Sequence, residues 1–410
     1  MRIMLGTSGD VTTYSIFVLF ILTVLFNHVT NKEWTFTFNK SVLIAVCLFL
    51  FSSVLSMLIY DVANLDVLFK FFAGVVVAYM AGNLTGRQSV LMTKGTILLS
   101  TLYGVYCIAS HQHIYSAYVS TGIHNYLEVT LPLGLGLTFS LIYLFICKNS
   151  LVEKLCYYSA AAIQLFAMLK FSARGNLVFP FLITIVLLLY KSRVNKNKAF
   201  RNFFQAVLII LIALYVITRF ASEFLLSRLT RMFSQLSKES RVPIYRYFIG
   251  YIFDHVNYIW GFGFGRSGEI LHAGGFVTSN YPHNFVMEIV GEMGIVGIAL
   301  LVCTSVQIIK AERAQIFILR QNSFQKNSED FLQFFLMNAG LLFYLFTYIK
   351  SYSIYDGYQL FIFISMLIHG MKRRRDRFPS VENSLNRKAV MDYVKLDQRG
   401  FVRIETIRKR

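Results

Sequence analysis

The sequence predicts an all-α protein, a polytopic helix bundle embedded in a membrane, with one long extracytoplasmic loop that contains amphipathic helices. Of its 410 residues, 56% are hydrophobic and only 15% are charged, whereas about a quarter of a typical soluble domain is charged. The apolar residues form runs of about 20, the length that spans a hydrocarbon core of about 30 Å. Basic residues cluster between these runs and after the last one, which is typical of membrane topology.

About eleven apolar runs are long enough to span a membrane, within a range of ten to twelve. Their centres lie near Val18, Leu50, Val76, Ser100, Leu137, Ala161, Ile183, Ile210, Val296, Leu341 and Phe363. The links alternate between basic segments, such as residues 191–201, and segments without Lys or Arg, such as residues 110–125. The positive-inside rule then places the C terminus in the cytoplasm and the loop outside.

This topology divides the chain into four parts. They are N-terminal membrane helices (residues 1–219), an extracytoplasmic loop (220–282), C-terminal membrane helices (283–370) and a basic cytoplasmic tail (371–410). The net charge of +19 does not indicate nucleic acid, because the cations follow the topology rather than a soluble face. No Cys or His spacing suits a metal ion and no cofactor motif is present, so we expect neither.

The loop combines arginines with aromatic side chains. Arg241, Arg246 and Arg266 interrupt an aromatic and aliphatic stretch, and Tyr245 follows Arg241 by one turn of a predicted amphipathic helix. A guanidinium group binds two phosphate oxygens at once and stays charged. The combination favours a lipid pyrophosphate that carries a sugar, with ordinary binding of lipid headgroups as the alternative. The glycines of residues 261–268 lack the strand of a dinucleotide site, so they predict a tight turn.

A second polar group follows the loop. His283 and Asn284 stand at the start of an apolar run, and Asn284, Glu288 and Glu292 recur every fourth residue along one helix face. Carboxylates at membrane depth are costly and therefore indicate function, although Glu288 also suits a helix N terminus. His283 is a candidate general base or hydrogen-bond donor, with a structural role as the alternative. Arg174, at the start of an earlier helix, adds a cation on the same side of the membrane.

Three separated motifs resemble the bacterial O-antigen polymerase and O-antigen ligase superfamily. The first is SARGN around Arg174, and the second is Arg241 followed by an aromatic helix and the GFGFG turn. The third is an H-N-x9-G-x-x-G element that begins at His283 and ends at Gly297. The resemblance covers roughly residues 170–300 together with the helix count.

The resemblance implies a metal-independent, inverting glycosyltransferase that needs no cofactor and uses a polyprenyl-pyrophosphate-linked oligosaccharide as donor. It also implies that Arg174 and Arg241 hold the pyrophosphate leaving group and that His283 assists the acceptor hydroxyl. We assign substrate binding to the remaining polar residues of these motifs and the loop, which are Arg246, Arg266, Asn284, Glu288 and Tyr245.

The predicted function is polymerisation of lipid-linked repeat units of O-antigen or capsular polysaccharide at the outer face of the bacterial inner membrane. A ligase that transfers the polymer to lipid A core is the alternative. A polysaccharide flippase is a second alternative, which the lack of internal repeats disfavours. The expected partners are lipid-linked donor and acceptor oligosaccharides and membrane lipids, with a chain-length regulator as a further candidate and no nucleic acid.

Overall fold

A computed structural model shows an all-α protein, which confirms the predicted fold class. It describes parts of residues 51–60, then 65–109, 126–147, 149–169, 174–194, 199–220, 241–255, 259–277, 279–321, 329–353, 355 and 357–377. This described part is 88% helical and contains no strand. The predicted span centred on Val18, the start of the long loop at residues 221–240 and the tail after Arg377 lie outside the described residues.

The structure contains eleven helices with defined ends among the described residues. They are α1 (Leu65–Gly82), α2 (Gly86–Ala109), α3 (Tyr126–Phe145), α4 (Leu151–Leu169), α5 (Arg174–Val194), α6 (Ala199–Phe220), α7 (Arg241–His255), α8 (Ser267–Ala273), α9 (Phe285–Gln321), α10 (Glu329–Ser351) and α11 (Tyr358–Arg377). Each of α1–α6 and α9–α11 contains the centre of a predicted span, whereas α7 and α8 lie in the predicted loop. Among the described helices, four (α2, α5, α9 and α10) combine the length and hydropathy of a membrane span, so the total of about eleven stays a prediction.

Helices α3 and α10 form the centre of the bundle. Nearly every residue of α3 from Leu133 onward is buried, and α10 packs against α2, α3, α5, α9 and α11. The outer helices instead expose large apolar side chains, such as Phe200, Phe203 and Leu211 of α6. Soluble monomers rarely expose apolar surface on this scale, so the outer surface of the bundle matches the hydrocarbon of a membrane.

Helix α9 bends sharply at Gly294. This residue has φ 56° and ψ −136°, a backbone conformation that residues with a Cβ rarely adopt. A Cβ on Gly297 would lie 2.5 Å from the carbonyl oxygen of Ile289, although residues eight apart in a straight helix are separated by about 12 Å along the axis. The bend divides α9 into a short arm (residues 285–293) and a long arm (residues 295–321). The two glycines of the G-x-x-G motif are therefore the residues that the bend requires.

The predicted loop contains a small core of its own. Buried side chains from α7, the following turn and α8 pack together: Ile244, Phe248, Phe262, Ile270 and Leu271. Both α7 and α8 contact α9. We call residues 241–277 the loop module. Helix α7 buries Phe248 in this core and exposes Ile249 and Phe253, so its predicted amphipathic character stays a prediction.

Candidate functional site

The polar centre of the molecule lies where α7 begins and α10 ends. Arg241 is the first residue of α7, and its guanidinium Nη1 donates a hydrogen bond to the backbone carbonyl of Lys350 in the last turn of α10. Carbonyl groups at a helix C terminus lack partners within the helix, so this bond completes the end of α10. It also fixes the orientation of Arg241 through a backbone atom.

His283 occupies a constrained position beside Arg241. Its φ of 58° is uncommon for a residue other than glycine, and such strain clusters at functional sites. The ring of Tyr281 packs edge-on against the imidazole with 4.5 Å between the ring centroids. The Tyr281 hydroxyl donates to the carbonyl of Ser351 at 2.8 Å, and the Tyr245 hydroxyl approaches the carbonyl of His283 at 3.5 Å. The end of α10 therefore positions His283 as well as Arg241.

Burial and the charge of Arg241 keep the His283 imidazole neutral. Burial is the larger cause and the nearby guanidinium the second; together they lower the pKa of His283 from 6.5 to about 4, against the opposing influence of the Ser351 backbone. Within the described part of the chain, the buried Nδ1 atom has no hydrogen-bond partner. The site thus contains a neutral imidazole.

Helix α5 starts beside the same residue of α10. Its first residue is Arg174, whose side chain lies outside the described part of the structure. A Cβ built on the next residue, Gly175, would lie 2.9 Å from the ammonium Nζ of Lys350. Lys350 is therefore the common neighbour of the start of α5 and of the Arg241 guanidinium.

Two residues of the predicted polar helix face make structural contacts. The side-chain oxygen of Asn284 accepts hydrogen bonds from the backbone N–H groups of Val286 and Met287, at 3.0 and 3.1 Å, so Asn284 caps α9. The buried carboxylate of Glu288 accepts a 2.7 Å hydrogen bond from the hydroxyl of Ser353. The bond between Glu288 and Ser353 joins the short arm to the segment after α10. Substrate binding by Asn284 or Glu288 stays a prediction.

Glu292 anchors the glycine-rich turn to the short arm. Its buried carboxylate accepts hydrogen bonds from the backbone N–H groups of Gly265 and Ser267, at 2.8 and 3.1 Å. The turn approaches so closely that a Cβ on Gly261 would lie 2.4 Å from the carbonyl oxygen of Gly291. The predicted turn is therefore held on α9 largely by its own backbone.

Part of the chain is similar to a family of known proteins. Residues 158–302 match a family model described as O-antigen ligase. Over these residues the chain is similar to the O-antigen polymerase and ligase superfamily. The superfamily predicted from the three sequence motifs is thereby confirmed. A comparison with curated proteins found no match.

The superfamily indicates a membrane enzyme of the O-antigen polymerase or ligase type in a bacterial membrane, with lipid-linked oligosaccharides and membrane lipids as its partners. The matched region contains every predicted site residue and the bend at Gly294. Lys350, Ser351 and Ser353 lie beyond its end, although they contact Arg241, Tyr281 and Glu288 respectively. The superfamily region thus completes its polar centre with residues from a later helix.

The other two arginines of the loop module are Arg246 and Arg266. The Nε of Arg266 is 3.0 Å from the carboxylate of Glu269, and its guanidinium carbon is 5.6 Å from the ring centroid of Tyr60. The Tyr60 hydroxyl in turn donates to the carbonyl of Gly261 at 2.6 Å. Arg246 is exposed on α7. Their roles in substrate binding stay predictions.

Sequence reasoning missed Lys350. Its segment follows an apolar run and contains no motif, so hydropathy marks only the end of a helix. The available signal was topological, because the predicted orientation places this lysine outside, where short loops carry few basic residues.

Proposed function

We propose that the protein polymerises polyprenyl-pyrophosphate-linked oligosaccharide repeat units, using Arg174, Arg241 and His283, on the extracytoplasmic face of the bacterial inner membrane. The observation that supports this most strongly is the convergence of Arg241, His283 and the first residue of α5 on the end of α10. In this proposal the loop module faces the periplasm and the tail from residue 371 is cytoplasmic.

The reaction would form one glycosidic bond and break another. A hydroxyl oxygen of the acceptor repeat attacks the anomeric carbon of the donor sugar from the side opposite the pyrophosphate, so the configuration inverts. The bond between the anomeric carbon and the pyrophosphate oxygen breaks, and polyprenyl pyrophosphate leaves with the electron pair. Negative charge therefore grows on the leaving group, where Arg174 and Arg241 stabilise it without a metal ion.

His283 would receive the proton of the acceptor hydroxyl. Its low pKa in the free protein makes the imidazole neutral and ready to accept a proton, but only weakly basic. A bound pyrophosphate offsets the positive charge of Arg241, which is one cause of that low pKa. Substrate binding should therefore raise the pKa of His283 and make it a stronger base in the complex than in the free protein.

The ligase activity is the second candidate, because the matching family model is described as O-antigen ligase. Both reactions use the same donor chemistry and differ in the acceptor, which is another lipid-linked repeat for the polymerase and lipid A core for the ligase. A flippase would instead need its cations accessible from both sides of the membrane. The gathering of Arg241, Lys350 and the start of α5 at one end of the bundle favours an enzyme.

Gene deletion and complementation test the proposal. The deletion strain receives wild type, Arg241→Ala, His283→Ala or the control Lys154→Ala, and surface polysaccharide is separated on a gel. Lys154 is exposed in the first turn of α4, at the opposite end of the helix that leads to Arg174, so this control should rescue fully. A single repeat on lipid A core in the deletion strain supports the polymerase. Loss of all attached polymer, with lipid-linked chains accumulating, supports the ligase instead. Full rescue by both site variants overturns the site.

A further inference from the structure

We propose that Lys350 is a further substrate-binding residue of this site, and that its ammonium group binds the pyrophosphate of the lipid-linked donor. The inference rests on the proposed function, because it assumes a pyrophosphate substrate. It extends that function to a residue on α10, outside the region that matches the superfamily.

The ammonium group of Lys350 lies beside the start of α5. Lys350 is half-buried, and its Nζ stands against the first turn of α5, where it would be 2.9 Å from a Cβ on Gly175. The same Nζ is 5.7 Å from the ring centroid of Phe179, one turn further along α5. The N terminus of a helix carries partial positive charge, which repels an ammonium group and attracts an anion. A phosphate bound here would be attracted by both Lys350 and the start of α5.

The backbone and the side chain of Lys350 contact different helices. Its backbone carbonyl accepts the hydrogen bond from Arg241, while its side chain extends to the turn that begins with Arg174. One residue therefore lies between the backbones of the two predicted pyrophosphate ligands. A pyrophosphate has two phosphate groups, each with several acceptor oxygens. Two guanidinium forks and one compact ammonium group can share these oxygens without competing for the same geometry.

A purely structural role is the competing explanation. A lysine in the last turn of a helix favours the negative end of the helix dipole, and an ammonium group over an aromatic ring gains cation–π energy. Both effects stabilise α10, but neither requires an anion. The two explanations therefore differ in whether the affinity for phosphate depends on Lys350.

Measuring how lipid probes bind to the purified protein in lipid nanodiscs distinguishes the ligand role of Lys350 from the structural role. The probes are a polyprenyl pyrophosphate without sugar and the matching polyprenol, titrated by calorimetry into wild type, Lys350→Gln, Lys350→Arg and the control Lys154→Gln. Substitution at position 350 removes the ammonium group but leaves the carbonyl that orients Arg241. We expect Lys350→Gln to weaken pyrophosphate binding about ten-fold, as loss of a hydrogen bond to a charged group typically does. Lys350→Arg should restore most of the affinity, and Lys154→Gln should match wild type.

The outcomes distinguish this inference from the proposed function. If Lys350→Gln binds the pyrophosphate as wild type does while Arg241→Gln binds it weakly, Lys350 is not a ligand and the proposed function stands. If Lys350→Gln weakens binding of polyprenol and pyrophosphate equally, its role is structural and the inference is overturned. If wild type does not prefer pyrophosphate to polyprenol, both proposals fail. Selective weakening of pyrophosphate binding supports Lys350, even where a separate transfer assay shows no polymerisation.

Discussion

The two ends of the bundle use cations in different ways. At the end away from the site, the ammonium group of Lys191 donates a 2.6 Å hydrogen bond to the carbonyl of Ile146, just after α3. At the site, Arg241 bonds in a similar way to the carbonyl of Lys350. A single cation at a helix C terminus stabilises the helix. At the site, however, the acceptor residue is itself a lysine, and another arginine begins the adjacent helix. Like charges repel one another, so the proposed anion would stabilise this end of the bundle when it binds.

Positive φ angles follow the same division. Every described residue with positive φ lies between Gly261 and Gly294, and His283 is the one among them that is not glycine. The described residues near Ile146 and Lys191 have ordinary backbone conformations. Among the described residues, the strained backbone of His283 and the bond between Arg241 and Lys350 therefore lie at the same end of the molecule, which is the pattern expected of a functional site.

The largest expected difference between the two ends is in catalysis. Arg241→Gln should lower the rate of transfer by about 10²–10³-fold, because it removes a group that stabilises charge on the leaving pyrophosphate. Lys191→Gln should leave the rate unchanged and lower the free energy of unfolding by about 1 kcal/mol. The measurement is polymer formation from lipid-linked repeats by the purified variants. Equal losses of activity in both would mean that the two cations have the same structural role.

The next effect concerns the bend in α9. Gly294→Ala should lower the free energy of unfolding by about 1–3 kcal/mol, because alanine must adopt a left-handed backbone conformation there. Gly250→Ala is the matched control, since nothing lies within 4 Å of a Cβ at that position on α7. It should stabilise the helix by roughly 0.5–1 kcal/mol. Thermal unfolding in detergent measures both, and a Gly294→Ala variant as stable as wild type would contradict the required bend.

A smaller effect is expected at the anchor of the turn. Glu292→Gln should cost about 1–2 kcal/mol, because the amide nitrogen of Gln cannot accept the hydrogen bond that one backbone N–H now donates. Hydrogen exchange at Gly265 and Ser267 should accelerate accordingly. Glu312→Gln is the control and should leave the exchange of these amides unaffected. The Glu312 carboxylate accepts a long 3.5 Å hydrogen bond from the Tyr190 hydroxyl at the other end of the bundle. Unchanged exchange in Glu292→Gln would show that the rest of the turn holds itself in place.

The smallest expected effect is a change in the pKa of His283 in the Arg241→Gln variant. Removing the positive charge in Arg241→Gln should raise the pKa of His283 above about 4, because the guanidinium disfavours the imidazolium form. The pKa should remain below 6.5, since burial is the larger cause of its depression. NMR titration of labelled histidines, with His283→Gln to assign the signal, measures the change. Lys191→Gln should not move it, and a fall of the pKa in Arg241→Gln would contradict the contact.

Much of this fold could be predicted from hydropathy and helical period alone. Apolar runs located α1–α6 and α9–α11, and the spacing of Arg241, Ile244 and Phe248 predicted that α7 is a helix. The motifs also marked Arg174, Arg241 and His283 as related, and the resemblance implies that both arginines hold one pyrophosphate. Hydropathy failed at Gly294, because it records how apolar a run is and not whether the helix bends.

The contacts of the polar residues were not predictable because they join distant parts of the chain. The face formed by Glu288 and Glu292 was expected to be functional from the cost of burying acidic groups. The structure shows that a hydroxyl from Ser353 and N–H groups of Gly265 and Ser267 satisfy these carboxylates. No local pattern identifies such partners. Lys350 was missed for the same reason, since its importance depends on what packs against it.

The dependence of the site on the end of α10 determines the order in which the protein can assemble. Arg241, Tyr281, Glu288 and Gly265 bond to Lys350, Ser351, Ser353 and Tyr355, in that order. The ribosome adds residues 350–355 to the chain after the loop module and after all of α9. The short arm, about 13 Å long, cannot cross the membrane by itself. The contacts that complete the proposed site therefore form late in biosynthesis, and a chain released before residue 350 would lack them.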